Sequence, residues 1–446
     1  MKRSNFWTRF YLLALGITLV HDARTDDWPQ WLGPQRDGIW REDGILTQFP
    51  ENGPMLRWKS PLGGGYSSPA VVDGRVYVMD RINAKPIGES DYKPFKRDSL
   101  PGSERIVCLR ESDGQLLWTR EYDCTYTTAT LYAIGPRVTP AVHDGLVYAL
   151  GAEGNFHCLK TSDGAIAWSR DFKKDYDLKI PTWGTSSHPL IDGNKVICVV
   201  GGEGSVAVAF DRKTGKELWC SLAAKEPGYA PPVIYTIDGE RHLLIWHSEA
   251  ICGLNPETGE VLWSVKAEPT YAMSISTPRL HGRQIYLAGY RHHSWLVEIG
   301  TDRRSAHVIW KGDRERGIAA VFNTPFIEQG LVYGCNNDGF YMCARLKQGE
   351  VLWKTLEPLQ AKRRLDWGNV YTVKYQDRFF LATDKGDLII AKLSDKGYHE
   401  ISRANLIKPT HQIGGRVVVW SHPSFANRSI YLRNDHEIRC YSLAGE

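Results

Sequence analysis

The chain has 446 residues and a formal net charge of +4, with acidic and basic side chains almost in balance. No stripe of positive charge runs along it, which excludes the electrostatic footprint of a nucleic-acid binder. The densest basic cluster, Lys362-Arg363-Arg364, reads as a solvated loop. Length alone suggests two or three domains, but 16 tryptophans and 42 glycines fit a chain of many turns and many flat aromatic contacts.

Residues 1–23 read as a secretory signal peptide. Lys2, Arg3 and Arg9 accompany the apolar run Tyr11-Leu12-Leu13-Ala14-Leu15-Gly16-Ile17-Thr18-Leu19-Val20. That run is too short to span a bilayer and suits an h-region. Ala23 offers a cut site, although His21 stands where a small residue is wanted. The first cysteine is Cys108, which argues against a lipid anchor. The mature chain is therefore expected in the periplasm or outside the cell, with no transmembrane anchor. Residues 24–55 read as an N-terminal arm and 56–446 as the folded body.

Within that body one phrase recurs: an alternating apolar strand, a polar-glycine turn, then tryptophan four residues after the glycine. It appears as Ser112-Asp113-Gly114 to Trp118, Ser162-Asp163-Gly164 to Trp168, Thr214-Gly215 to Trp219, Thr258-Gly259 to Trp263 and Gln348-Gly349 to Trp353. Trp310 marks a further unit, and Asp395-Lys396-Gly397 opens one with Ile401 at the tryptophan position. A fixed period of strand, turn and aromatic is the mark of a radial β repeat.

Each unit also has a common start. Ser68-Pro69 leading to Asp73-Gly74 recurs as Thr139-Pro140 to Asp144-Gly145, His188-Pro189 to Asp192-Gly193, Thr324-Pro325 to Gln329-Gly330, and His422-Pro423. Asp-Gly between alternating runs predicts a two-residue hairpin, so each unit is two hairpins in series. The last unit ends at Gly445, where its tryptophan strand should begin, while Leu56-Arg57-Trp58-Lys59 has no strands before it. The spare strand is expected to complete the final unit. Closing the ring pairs an otherwise bare edge and gives an all-β, eight-bladed propeller of four-stranded blades.

Most of the tryptophans are accounted for by packing between blades. Among the nine cysteines, Cys108, Cys158 and Cys343 share one repeated strand position, with Cys440 close to it. Equivalent places in neighbouring blades are too far apart for a bond that needs Cα atoms within about 7 Å. Free, buried thiols are expected.

The familiar catalytic signatures are missing: no nucleophile elbow, no His-Glu-x-x-His, no phosphate loop and no haem-attachment motif. His292 and His293 are neighbours, and on a strand they would face opposite ways. The segments preceding each first strand cross one face of the ring from rim to axis, and they hold aromatics and hydrogen-bonding groups. The candidate ligand residues there are Tyr66, Arg137, Trp183, Tyr229, Asn323, Asp366, Trp367 and His422. Two readings stay open: these groups close the top of the tunnel, or they ring a funnel that holds a flat, anionic or sugar-like ligand.

The phrase Ala209-Phe210-Asp211-Arg212-Lys213-Thr214-Gly215-Lys216-Glu217-Leu218-Trp219 and the arm Asp27-Trp28-Pro29-Gln30-Trp31-Leu32-Gly33-Pro34-Gln35-Arg36-Asp37-Gly38 resemble the pyrroloquinoline quinone (PQQ)-like propeller repeat proteins, in particular an exported bacterial subgroup. The resemblance runs over nearly the whole mature chain. It implies the fold more firmly than a reaction. The quinone-dependent alcohol dehydrogenases of this fold hold PQQ with calcium, a catalytic aspartate, an arginine, a tryptophan floor and a disulfide between adjacent cysteines. Here no two cysteines are adjacent and no calcium-binding set aligns. BamB-like propellers use the same repeat as a binding surface. The resulting expectation is a binding or scaffold module with a protein or small polar ligand at its funnel face and no cofactor. A PQQ- and calcium-dependent dehydrogenase is the alternative.

Overall fold

The computed structural model describes residues 26–84 and 95–445. The expected signal peptide at 1–23 lies outside the described residues. The hairpin turns are built as their sequences require: Asp73 and Gly74, for example, both take positive φ, at 49° and 69°, the pairing of a twisted two-residue turn.

Among the described residues there are eight four-stranded antiparallel sheets and one two-stranded hairpin. Blades 1 to 7 cover residues 70–123, 141–171, 190–221, 233–266, 279–311, 326–355 and 370–405. Blade 8 joins residues 424–442 to the strand Leu56–Pro61, which runs antiparallel to Glu437–Ser442 with Trp58 opposite Cys440. The ring is closed as the spare strand predicts. First strands of neighbouring blades, such as Ala70–Val72 and Ala141–His143, meet each other, so the first strand of each blade is the innermost.

The tryptophan position has a defined register. Trp118 pairs with Cys108, Trp168 with Cys158, Trp219 with Ala209, Trp263 with Gly253 and Trp353 with Cys343. A bulge immediately precedes each of these tryptophans. In blade 7 the pairing jumps from Ser402 to Glu400, so Ile401 is the bulged residue and Ser402 takes the tryptophan position. The expected isoleucine is one residue off because Gly397 is already paired with Ser394 in the hairpin, whereas Gly114 and its counterparts lie in the turn at positive φ, so counting four from the glycine falls one residue short in blade 7.

Six tryptophans reach into the following blade. Their Nε1–H groups donate to carbonyls at the next turn: Trp58 to Glu111 at 2.7 Å, Trp118 to Thr161 at 3.0 Å, and Trp168 to Arg212 at 3.0 Å. Trp219, Trp310 and Trp353 donate to Pro256, Leu346 and Ser394. Turn glycines lie directly against four of the rings; a Cβ on Gly114, Gly164, Gly215 or Gly259 would stand 2.5–2.6 Å from the indole. Trp263 departs from this pattern. It donates to His242 Nδ1 of its own blade at 3.1 Å, and its indole fills the space that a Cβ on Gly253 would need.

All nine cysteines are free and eight are buried. Cys220 is the correction to the expectation of uniform burial: it lies on the outer strand of blade 3 and is exposed.

The arm is part of the packed molecule. Trp28 exchanges backbone hydrogen bonds with Val71 of blade 1, and Gly38 and Trp40 bond to Lys374 of blade 7. Trp28, Trp40 and Phe49 join one buried cluster with Phe380 and Phe425. Further in, Arg36 is 4% exposed, and its guanidinium donates to the carbonyls of His188, Pro189 and Pro232. The arm thereby reaches the axis from the first strands of blades 1 and 7.

Candidate functional site

The segments leading into the eight blades converge on a cavity of about 290 Å³. Each blade contributes to the wall: Tyr66, Arg137, Trp183, Tyr229, Met273, Asn323, Trp367 and Trp420 come from entries 1 to 8 in turn. Blade topology explains the convergence, since the chain must cross from the rim to the axis before every innermost strand.

Trp31 of the arm forms part of the lining. Its indole stacks on His188 with centroids 4.1 Å apart, meets His422 edge-on, and donates to Thr277 Oγ1 at 3.0 Å. Above it the wall is aromatic. Trp183 and Tyr229 meet in a T-shape at 5.9 Å, and Phe322 lies 4.3 Å from Trp420. Trp367 Nε1 donates to Tyr290 OH at 3.4 Å. Arg291 holds its guanidinium 5.5 Å from the rings of both Tyr271 and Tyr290.

Arg137 is the principal charge in the wall. Its guanidinium lies 5.0 Å from the Tyr66 ring centroid, and Nη2 donates to the Tyr132 carbonyl at 2.6 Å. Its Nη1 is buried without a hydrogen-bond partner, and among the described residues no carboxylate pairs with this arginine. Tyr66 OH meets His411 Nε2 at 3.1 Å, which ties the entry of blade 1 to the hairpin His411–Ile413 and Arg416–Val418. That hairpin is held in turn by Arg416, which pairs at 2.6 Å with the buried Asp384.

Burial sets the protonation states here. It raises the hydroxyl pKa of Tyr66 and of Tyr229, so both stay neutral donors. It lowers His411, and it lowers His422 to about 4, leaving both imidazoles uncharged near neutral pH. Arg36 of the arm falls to about 9 through desolvation, its guanidinium donating to backbone carbonyls and to the Gln30 side-chain oxygen.

Seven of the eight residues singled out in the sequence line this cavity: Tyr66, Arg137, Trp183, Tyr229, Asn323, Trp367 and His422. Asp366 does not. Its side chain is 65% exposed and sits 3.8 Å from Arg364. Trp367 turns into the cavity from a backbone at φ 58°, and the residue before it is left facing solvent. Trp31, Phe95, Tyr271, Tyr290, Arg291 and Tyr371 line the cavity without having been anticipated. The Trp28-Pro29-Gln30-Trp31 run was visible, but only the threaded arm reveals its destination.

The donor set is a test of the calcium–quinone alternative. Calcium takes six to eight oxygens, several of them from carboxylates. Among the described lining residues there is no Asp or Glu, and no cluster of three His, Cys, Asp or Glu side chains is found among the described residues. The nearby buried acid, Asp384, is held through Oδ2 by Arg416 and by the backbone N–H of Asn369, which leaves a single unpartnered carboxylate oxygen, Oδ1, where calcium takes several. These residues do not fit a calcium-bound quinone.

Residues 102–355 match the family profile described as outer membrane protein assembly factor BamB. The chain belongs to this family of PQQ-like β-propellers. No curated protein matches its sequence. Among solved structures, BamB from Moraxella catarrhalis is 16% identical with a TM-score of 0.54, covering 86% of this chain and 96% of that one. The quinohemoprotein alcohol dehydrogenase from Comamonas testosteroni is 14% identical with a TM-score of 0.61, covering 95% and 81%. A computationally designed protein, Ika8, is 10% identical with a TM-score of 0.54, covering 87% and 99%. Identities this low carry the fold and not the activity.

Proposed function

We propose that this PQQ-like propeller is an exported binding module whose axial cavity takes a small polar or anionic ligand, free or presented by a protein partner, and that it works without a cofactor. The observation that supports the reading is Arg137: a guanidinium in an aromatic wall, with Nη1 unpartnered and no carboxylate beside it among the described residues. A buried donor left unpaired is costly, so such a group marks a place where a ligand's acceptor belongs. Export rests on the N-terminal leader pattern. No helix among the described residues is long and apolar enough to cross a membrane.

The test is a thermal-shift screen of anionic and neutral small molecules against the wild-type protein, Arg137→Ala and Trp183→Ala. Ligands that stabilise the wild type should lose most of their effect in both variants. A screen with no stabilising ligand, or one whose hits ignore both substitutions, would overturn the cavity as the site. Reconstitution with PQQ and calcium, followed by dye reduction with alcohols and sugars, probes the dehydrogenase alternative. Sustained turnover there would replace the binding reading with an enzymatic one.

A further inference from the structure

The geometry points to an acidic monosaccharide, a hexuronate-type ring bearing one carboxylate, as the ligand class of the axial cavity. This inference rests on the binding reading above and narrows it.

Four lining residues carry buried polar atoms with no partner among the described residues: the Tyr229 hydroxyl, which can donate or accept, and three groups of fixed role, Arg137 Nη1, Asn323 Oδ1 and Trp420 Nε1. Of these three, one is a cationic donor, one an acceptor and one a neutral donor. They enter from blades 2, 6 and 8 respectively, so blades 2 and 6 present theirs from opposite sides of the eight-blade ring. Asn323 is fixed in place, because its Nδ2 donates to the Cys335 carbonyl and to Asn369 Oδ1. Trp420 is fixed as well, since Tyr371 OH donates to its carbonyl at 2.7 Å and the tilted Phe322 ring lies 4.3 Å from its own. Neither group can turn away to find water without dismantling its neighbours.

A ligand that satisfies all three must carry polar atoms around its perimeter, with at least one acceptor and one donor on opposite sides. It must also offer apolar faces to Trp31, Trp183 and Trp367. A pyranose meets both demands, with hydroxyls at its edge and C–H groups on its faces. An aromatic acid meets only the second, because its polar atoms sit at one end. The charge follows from Arg137, which lacks a carboxylate partner among the described residues, and from Arg291 on the same lining. A carboxylate matches the two-pronged donor geometry of an arginine. The volume of about 290 Å³ suits one ring, at the small end of ligand pockets.

The probes are D-glucuronate, D-glucose and benzoate, titrated against the full chain by calorimetry and by intrinsic tryptophan fluorescence. Glucuronate should bind saturably, with glucose weaker by about tenfold or more. Arg137→Gln should weaken glucuronate by a similar factor and leave glucose nearly unchanged. Trp420→Phe keeps the ring, removes the Nε1 donor, and should weaken both sugars about fivefold. Unchanged melting temperatures for both variants show that the fold survives. The methyl glycoside of glucuronate separates the sources: equal affinity marks a chain-terminal uronate, and loss of binding marks the free acid. Benzoate binding as tightly as glucuronate, or glucose binding as tightly, would overturn the inference and leave the binding module standing. If no probe binds while the broader screen still yields ligands lost in Arg137→Ala, only the sugar assignment falls. If both fail, both readings fall together.

Discussion

Replacing Gly164 with alanine tests whether the tryptophans lock neighbouring blades together through Cβ-free turns. Gly164 sits in the turn of blade 2 at φ +69°, and a Cβ there would stand 2.5 Å from Cε3 of Trp118, which belongs to blade 1. Gly74 has the same φ of +69°, in the first hairpin of blade 1, with nothing within 4 Å of its missing Cβ. Alanine in the left-handed region costs about 1–2 kcal/mol at either site. Only Gly164→Ala must also push the indole off its seat, which adds about 1–3 kcal/mol of overpacking. Urea unfolding midpoints should therefore place Gly74→Ala about 1–2 kcal/mol below the wild type and Gly164→Ala about 2–5 kcal/mol below it. The excess should disappear in a Trp118→Ala background, where no ring remains to be displaced. If the two glycine variants agree within about 0.5 kcal/mol, the indole contact does not hold the blades and the docking argument fails.

Three other outcomes follow from the same structure. Trp58→Ala removes a ring that is 6% exposed and a hydrogen bond to Glu111 across the closing seam, and should cost about 3–5 kcal/mol in equilibrium unfolding; a loss below about 1 kcal/mol would mean that the seam does not depend on it. A thiol reagent should label one cysteine, Cys220, in the native protein and the other eight only after denaturation, without prior reduction; labelling of a buried one such as Cys198 at the same rate would contradict the packing. His422 is held neutral at a pKa of about 4 by burial, below the 6.5 of an unperturbed histidine, so the unfolded chain binds the extra proton between those values. Stability from this group is complete above pH 6.5 and is lost as pH falls toward 4, by about 3 kcal/mol at most. His422→Gln should flatten that part of the stability–pH curve, and an unchanged slope would show that other groups set it.

How much of this was legible in the sequence depends on whether a feature repeats. The turn glycine and the tryptophan recur, so their spacing exposes the blade count, the spare strand at Trp58 and the small-residue position shared by Cys108, Cys158 and Cys343. Ile401 is one residue from the tryptophan position because the hairpin of blade 7 turns before Gly397, which pairs with Ser394, while the other blades keep their glycine in the turn itself. Trp263 looks like its counterparts, yet Gly253 opposite it leaves room for the indole to turn into its own blade. The sequence offers a hint, glycine where other blades have cysteine or alanine, and the contact itself decides.

The cavity was half legible for a related reason. Every blade entry must reach the axis, so topology alone brings Tyr66, Arg137, Trp183, Tyr229, Asn323, Trp367 and His422 to one place from seven distant stretches of chain. Topology does not say which of two adjacent side chains faces inward, and Trp367 and Asp366 went opposite ways. Nor does it predict Trp31, whose position depends on the arm finding the first strands of blades 1 and 7 and then burying Arg36 against carbonyls of blades 3 and 4. That burial has a consequence for function. An arginine stripped of water, with no carboxylate partner among the described residues, depends on the carbonyls that His188, Pro189 and Pro232 aim at it and on the Gln30 side-chain oxygen, so Arg36 ties the arm to the entries of two blades. Trp31 rides on the same segment and stacks on His188, and the floor of the cavity is therefore only as fixed as the arm beneath it.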